Sequence, residues 1–402
     1  MKLSSSIAGL SMKEILPFLR ALIVLSATPS LDAQINLINI GHTNNGGIAQ
    51  GIALSGNYAY LASGTNGLLI YDISNPALPV KVGHSLGSNA EEFNAYAVAV
   101  SSNYAFVAAN ASGKWGLFVY DVSNAVAPTN VGYFSADNYG GMALLGTNIY
   151  LGGDDRVPVI NISNPLDLTL STMYSPLENI NPTSIAVTSN YLAAVDSGDI
   201  SVNIGAFTNG VYTNLAFTNT DGSANGVAIA GQYVFVANSS SAPLECYHIS
   251  SSGKVSKAGQ ITYPASPTAG YSVAVSGSYA YLGCSAGLRV INIANPTNLI
   301  AAGQTSTNFG AKPMGVAVSG HYAYLADGTD GLRVFAIEPE LGVSLATGTG
   351  LTFSWPAQGS FALQQTAELN NPNWVTVTNV PTNGQITLPP PASSMYYRLL
   401  GQ

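Results

Sequence analysis

Between Gly51 and Pro76 short apolar runs alternate with turn-forming residues. Gly51–Leu54 leads into Ser55-Gly56-Asn57, and Tyr58–Ala62 alternates large and small side chains. Ser63–Gly67 is rich in glycine, Leu68–Ile73 is apolar again, and Ser74-Asn75-Pro76 ends the run. Aromatic and aliphatic runs of this length, bounded by Gly, Asn and Pro, predict short β-strands joined by tight turns.

The same unit recurs. With Tyr58 as marker, equivalents stand at Tyr104, Asn148, Tyr191, Tyr233, Tyr279 and Tyr322, in steps of 46, 44, 43, 42, 46 and 43 residues. The fourth copy, from Ile185 to Phe217, has lost the Asn-Pro stop and is the weakest; the fifth ends its third strand as Cys246-Tyr-His-Ile249. A fourth strand closes the units, marked by a glycine after a short apolar run: Val80-Lys-Val-Gly-His84, Asn130-Val-Gly-Tyr133, Lys257-Ala-Gly-Gln260 and Ala301-Ala-Gly-Gln304. The last unit, ending at Ile337, has no such strand after it, but Leu37-Ile-Asn-Ile-Gly-His42 supplies one at the start of the chain. Seven copies of four strands, one split between the two ends, predict an all-β chain. The expected architecture over residues 34–338 is a seven-bladed β-propeller closed by the N-terminal strand.

The third strand carries a family resemblance. Leu68-Leu-Ile-Tyr-Asp-Ile-Ser-Asn-Pro76, Leu117-Phe-Val-Tyr-Asp-Val-Ser-Asn124 and Leu288-Arg-Val-Ile-Asn-Ile-Ala-Asn-Pro296 resemble the LVIVD-repeat family from about Ile35 to Ile337. The resemblance implies a propeller of secreted or surface proteins of bacteria or archaea, and it implies no particular reaction. After the linker Glu338-Pro-Glu340, residues 341–402 alternate as Leu351–Trp355, Phe361–Gln365, Trp374–Val377, Gln385–Leu388 and Tyr396–Leu399. Five or six short strands predict a small β-sandwich. On Trp374 and Tyr397-Arg398-Leu399 it resembles the fibronectin-III-like modules at the ends of secreted bacterial proteins.

Residues 1–33 have the plan of an export signal. Lys13 and Arg20 precede the apolar Ala21–Ala27, and Leu31-Asp-Ala33 precedes a cut before Gln34; a start at Met12 gives a tidier signal. No apolar stretch approaches the ~20 residues of a membrane span. Only 8% of residues are charged, against about 25% in ordinary soluble domains. The net charge of −8 provides no basic field for nucleic acid. The expected location is secreted, periplasmic or cell-surface. An oxidising compartment permits a disulfide between Cys246 and Cys284, but two buried thiols are the preferred reading.

Candidate chemistry is sparse. His42 and His84 share one repeat position after the closing-strand glycine, which argues for packing rather than metal binding. Asp72 and Asp121 are replaced by Asn161, Asn203 and Asn292 at the equivalent places, as expected of a turn-capping acceptor. Asp327 and Asp330 are the weak metal candidates; neither their loop nor Gly153-Asp-Asp-Arg156 has the ligand spacing of a hard-cation cage. No nucleophile elbow, phosphate loop or cofactor motif is present, so no catalytic residue and no cofactor is assigned. The ligand-binding candidates are Glu91, Glu92 and Phe93 before the second unit and Trp115 in its lengthened turn Asn110–Gly116. If they share a face, an aromatic and acidic patch suits an extracellular glycan or protein. The first reading is a non-catalytic binding or adhesion scaffold. The second is an extracellular polysaccharide hydrolase or lyase with acidic residues around the channel.

Overall fold

The computed structural model describes residues 35–402 except 87–91, 137–139, 154, 176–180, 199, 264–268, 306–311, 340–341, 347–349, 355–360, 368–372, 378–384, 390–394 and 402. The expected export signal at 1–33 therefore lies outside the described residues. The described residues form an all-β, propeller-like arrangement without helix, in which four-stranded antiparallel sheets recur seven times.

Sheet 1 orders Gly51–Ser55, Tyr58–Ala62, Leu68–Asp72 and Val80–Ser85. Sheets 2 to 6 follow in the same order. Their second strands are Tyr104–Ala111, Asn148–Leu151, Tyr191–Asp196, Tyr233–Asn238 and Tyr279–Cys284. Sheet 7 takes Gly315–Ser319, Tyr322–Ala326 and Leu332–Pro339 from the end of the repeat array, and its fourth strand is Ile35–Thr43. Every marker residue thus opens a second strand.

Second and third strands are mainly apolar because both of their faces are covered. In sheet 1, Tyr60, Ala62, Leu68 and Ile70 pack toward Val107, Phe118 and Tyr120 of sheet 2. Ala59, Leu61, Leu69 and Tyr71, at the alternate positions, pack toward Tyr324, Leu332 and Val334 of sheet 7. Each fully buried leucine or isoleucine among them contributes about 1.5–3 kcal/mol. A bulge recurs between third and fourth strands at one register, beside Ile70/Tyr71, Val119/Tyr120, Val159/Ile160, Ile204/Gly205, Cys246/Tyr247 and Val290/Ile291. Bulges add local twist.

The Asp/Asn reading of the third-strand end holds at four sheets. The backbone N–H two residues on donates to Asp72 Oδ1 at 2.8 Å, Asp121 at 2.9 Å, Asn161 at 2.8 Å and Asn292 at 2.9 Å. Asn203 is a correction: Tyr191 pairs with Ala206, three residues later, so Ala206 holds that register and Asn203 is buried inside the strand. Sheet 4 needs no Asn-Pro stop because Ser201–Thr208 turns directly into Val211–Asn219 through Asn209 and Gly210, both at positive φ. Cys246 and Cys284 are free, buried thiols.

The chain forms two compact units, one of Asn36–Glu338 and a second that includes Pro339–Gln402. The second holds two three-stranded sheets: Gly342–Ala346, Gly350–Ser354 and Gln385–Leu388, then Val375–Thr376, Phe361–Thr366 and Tyr396–Gly401. Phe353, Leu363 and Val377 form their shared core, with Tyr397 4.4 Å from Phe353 between ring centroids. Nothing in this arrangement carries the fibronectin-III likeness.

Candidate functional site

The turns between second and third strands gather the chemistry of the repeat array at one end of each sheet. In sheet 1, Ser63 donates its N–H to Gly67 O at 2.8 Å, and Gly64 and Gly67 adopt the positive φ that the turn requires. Asp327 and Gly331 repeat this bond in sheet 7. Each turn also reaches the next repeat, through bridges from Gly64 to Ala95 and from Gly328 to Ala49. The equivalent histidines serve these turns: His84 Nε2 lies 3.0 Å from Asn66 O, and His42 Nε2 2.8 Å from Asp330 O. Both clip a fourth strand to its own sheet's turn, the packing role that their shared repeat position suggests.

In sheet 2 the second and third strands run past this level as Tyr104–Ala111 and Lys114–Asp121. Trp115 stacks on Tyr96 with ring centroids 5.1 Å apart and planes at 24°. Tyr133 Oη donates to Trp115 O at 2.8 Å, and Asn94 Nδ2 donates to Tyr96 Oη at 2.8 Å. Ser112 N–H donates to Glu92 O at 2.7 Å, so exposed Glu92 joins the same end. Glu91 lies outside the described residues. Phe93 must be corrected as a ligand contact: it is 4% exposed and packs edge-on against Phe118 at 5.1 Å. Strand alternation sends its side chain inward.

Asp327 and Asp330 both pair with Arg333. Arg333 Nε donates to Asp327 Oδ2 at 2.5 Å and Arg333 Nη2 to Asp330 Oδ2 at 2.6 Å, so a guanidinium already supplies the positive charge. Burial pushes the Asp327 carboxyl above the usual carboxylate range despite the opposing pull of Arg333. The loop at Gly153 closes on itself through bonds between Gly153 and Arg156, with Asp155 at positive φ and Asp154 outside the described residues. Among the described residues no three His, Cys, Asp or Glu side chains are grouped to hold a metal ion. Adding calcium should therefore leave the melting temperature unchanged at constant ionic strength; a saturable rise would restore the cation site.

A row of residues beside these turns is absent from the sequence-based candidates. Leu69 pairs with Leu61 in sheet 1, and the same register is held by Phe118, Asn203, Glu245, Arg289 and Arg333 in sheets 2, 4, 5, 6 and 7. The residue five positions after the second strand's opening residue accompanies each: Ser63, Ala109, Asp196, Asn238, Cys284 and Asp327, all buried. Sheets 1 and 2 fill the pair with at most one small polar side chain, whereas sheets 4 to 7 make it polar or ionic. The sequence signal is a charged residue inside an otherwise apolar strand, as in Leu244-Glu245-Cys246 and Leu288-Arg289-Val290.

Some of these groups are satisfied, whereas Asn203 Nδ2, Asn238 Nδ2, Asp327 Oδ1 and Arg289 Nε and Nη1 have no hydrogen-bond partner. Asp196 accepts N–H bonds from Asn181 at 2.6 Å and Gly198 at 2.7 Å. Glu245, fully buried, accepts from Tyr247 Oη at 2.7 Å, Lys257 Nζ at 2.9 Å and Asp221 N at 3.0 Å. Lys257 also reaches Asp221 at 2.9 Å, and burial followed by Glu245 drives the Tyr247 hydroxyl well above its ordinary range.

Stacked four-stranded antiparallel sheets with their chemistry in the turns define a propeller-like repeat protein. Five segments of the chain, 46–85, 94–135, 221–241, 269–307 and 310–337, match the LVIVD repeat. The matches leave out sheet 3 and the divergent sheet 4. Solved structures share the fold, two of them as follows. One is hydrazine synthase of Kuenenia stuttgartiensis, at 14% identity and a TM-score of 0.55, covering 74% of this chain and 97% of that one. The other is the computationally designed protein Ika8, at 10% identity and a TM-score of 0.50, covering 76% of this chain and all of that one. No curated protein matches the chain.

Proposed function

We propose that residues 34–338 form a closed seven-bladed propeller that acts as a non-catalytic binding scaffold for an extracellular glycan, with Trp115 on Tyr96 as its sugar platform. Several observations support closure. First strands of successive sheets touch in order, and the first strand of sheet 7, Gly315–Ser319, touches Gly51–Ser55 of sheet 1. Gly41, on the strand that completes sheet 7, faces Pro76 of sheet 1 as Gly83 of sheet 1 faces Ala125 of sheet 2.

The carrying observation for binding is the stacked Tyr96–Trp115 pair, flanked by exposed Glu92, Lys114 and Asn110 Oδ1, which accepts from Gly113 N. An aromatic plane beside hydrogen-bonding groups is the surface on which a sugar's apolar face rests. The non-catalytic reading draws on the first strands, which would line the channel. Gly51–Ser55, Phe93–Ser101, Met142–Leu145, Ser184–Val187, Ala224–Ala230, Gly270–Ser276 and Gly315–Ser319 contain no Asp, Glu, Lys, Arg or His. A hydrolase needs a carboxylate pair there, and Asp196 and Glu245 are engaged in internal hydrogen bonds. Export through residues 1–33, and a C-terminal sandwich over 341–402 serving attachment or spacing, complete the proposal; the low charge of the chain suits it.

The test is a glycan array probed with the purified chain, scored for retention and for substrate loss. Retention without turnover is expected, and Trp115→Ala should weaken it about tenfold while the variant stays folded and loses only the small stability of its stack on Tyr96. Equal binding by the variant would remove the platform from the site, and turnover would overturn the scaffold.

A further inference from the structure

We infer that Arg289 is a carboxylate-binding site, built at the turn end of sheet 6 and incomplete until an external acid occupies it. It is separate from the aromatic platform of sheet 2 and stands or falls independently of it. The argument begins with Arg333, its counterpart one repeat later. Arg333 pairs across the strands with Leu325, and Arg289 pairs with Leu282, the same register. Arg333 is neutralised by two carboxylates, Asp327 on Nε and Asp330 on Nη2.

Sheet 6 has lost both. Cys284 stands in the place of Asp327, and the turn Cys284-Ser-Ala-Gly-Leu-Arg289 is one residue shorter than Asp327-Gly-Thr-Asp-Gly-Leu-Arg333, which deletes the position of Asp330. Arg289 is nonetheless retained and only 7% exposed, and its Nε and Nη1 have no hydrogen-bond partner. The Tyr263 ring lies 3.6 Å beneath the guanidinium carbon. Stacking of that kind covers the face of the cation and leaves its in-plane N–H donors unspent.

Cys284 does not take over the counter-ion role. Its thiol donates to Gly287 O at 3.1 Å, and burial raises its pKa more than Arg289 lowers it, so it remains neutral. Arginine does not shed its proton in proteins. A charged guanidinium, buried, braced on an aromatic ring and without an acceptor on Nε or Nη1, thus lacks the two carboxylates that its twin has. The planar donor fork suits a carboxylate, from either a free small acid or an acidic sugar.

Thermal melts of the full chain in sodium acetate, in sodium glucuronate and in sodium chloride at equal ionic strength test this. The wild type should gain a few degrees in the carboxylates, rising with the logarithm of concentration above the dissociation constant. Response to acetate alone would assign the site to free acids, and response to glucuronate alone to acidic sugars. Cys284→Asp, which restores the arrangement of sheet 7 in cis, should melt higher without ligand and lose the response. Arg289→Gln should lose it without that gain. No carboxylate response in the wild type, or the same response in all three proteins, overturns the inference.

Discussion

Arg333→Ala loses about 3–5 kcal/mol of folding stability at neutral pH, read from urea unfolding. The loss comes from abandoning Asp327 rather than from the attraction itself: its carboxylate is fully buried, and an unpaired buried charge costs that much. The pH dependence gives the second readout. Burial holds the folded-state pKa of Asp327 above its ordinary value even with Arg333 present. Between the unfolded pKa, about 3.9, and the raised folded one, the folded state binds more protons, so this group's contribution falls as pH rises. Removing Arg333 deletes the chief downward pull and widens the window upward. The variant's deficit should therefore shrink as the pH is lowered from 7 toward about 5. Asp327→Ser with Arg333→Leu copies the Ser63 and Leu69 pair of sheet 1 and should recover most of the loss. A single variant within about 1 kcal/mol of wild type would mean that water reaches Asp327.

Gly83→Ala is expected to cost about 3 kcal/mol, at the upper end for forced overpacking. Its backbone does not need glycine, since its φ is outside the positive range, so the penalty is a clash. A Cβ on Gly83 would overlap Ala125 O, a backbone atom in the turn of the next sheet. Gly259 meets Pro296 O in the same way, and Gly41 would place a Cβ 2.5 Å from Pro76 O. Gly132 is the internal control: its added Cβ would sit 3.4 Å from Val119 and 3.5 Å from Pro165 O, ordinary contact. Gly132→Ala should be tolerated far better in the same unfolding assay. Equal losses at both positions would shift the explanation from packing between sheets to strand propensity.

These glycines show how far reading from the chain can go. Their recurrence marks the fourth strands correctly, yet the reason for glycine lies in a carbonyl about forty residues away, in another repeat. The Asp/Asn positions show the opposite case. Asp72, Asp121, Asn161 and Asn292 cap a turn two residues on, so local spacing reveals their role. Asn203 departs from that logic because the third strand of sheet 4 runs three residues further before its hairpin. Only the pairing of Tyr191 with Ala206 shows it. At the candidate site, Ser112 in the turn before Trp115 bonds the backbone carbonyl of Glu92, whereas Phe93 goes into the core.

What this chain determines by itself is everything governed by neighbours in sequence: the strands, their turns, the period and the spare N-terminal strand. Local φ/ψ preferences and the two-residue alternation of strands carry that information. The tertiary structure alone decided which polar residues are neutralised. Arg289 and Arg333 both follow a leucine in an apolar strand, but one faces two carboxylates and the other faces a thiol and a tyrosine ring. That difference arises where the turns bring separate residues together inside a low-dielectric interface. Charge pairing there is set by distance in space, which no sequence spacing encodes.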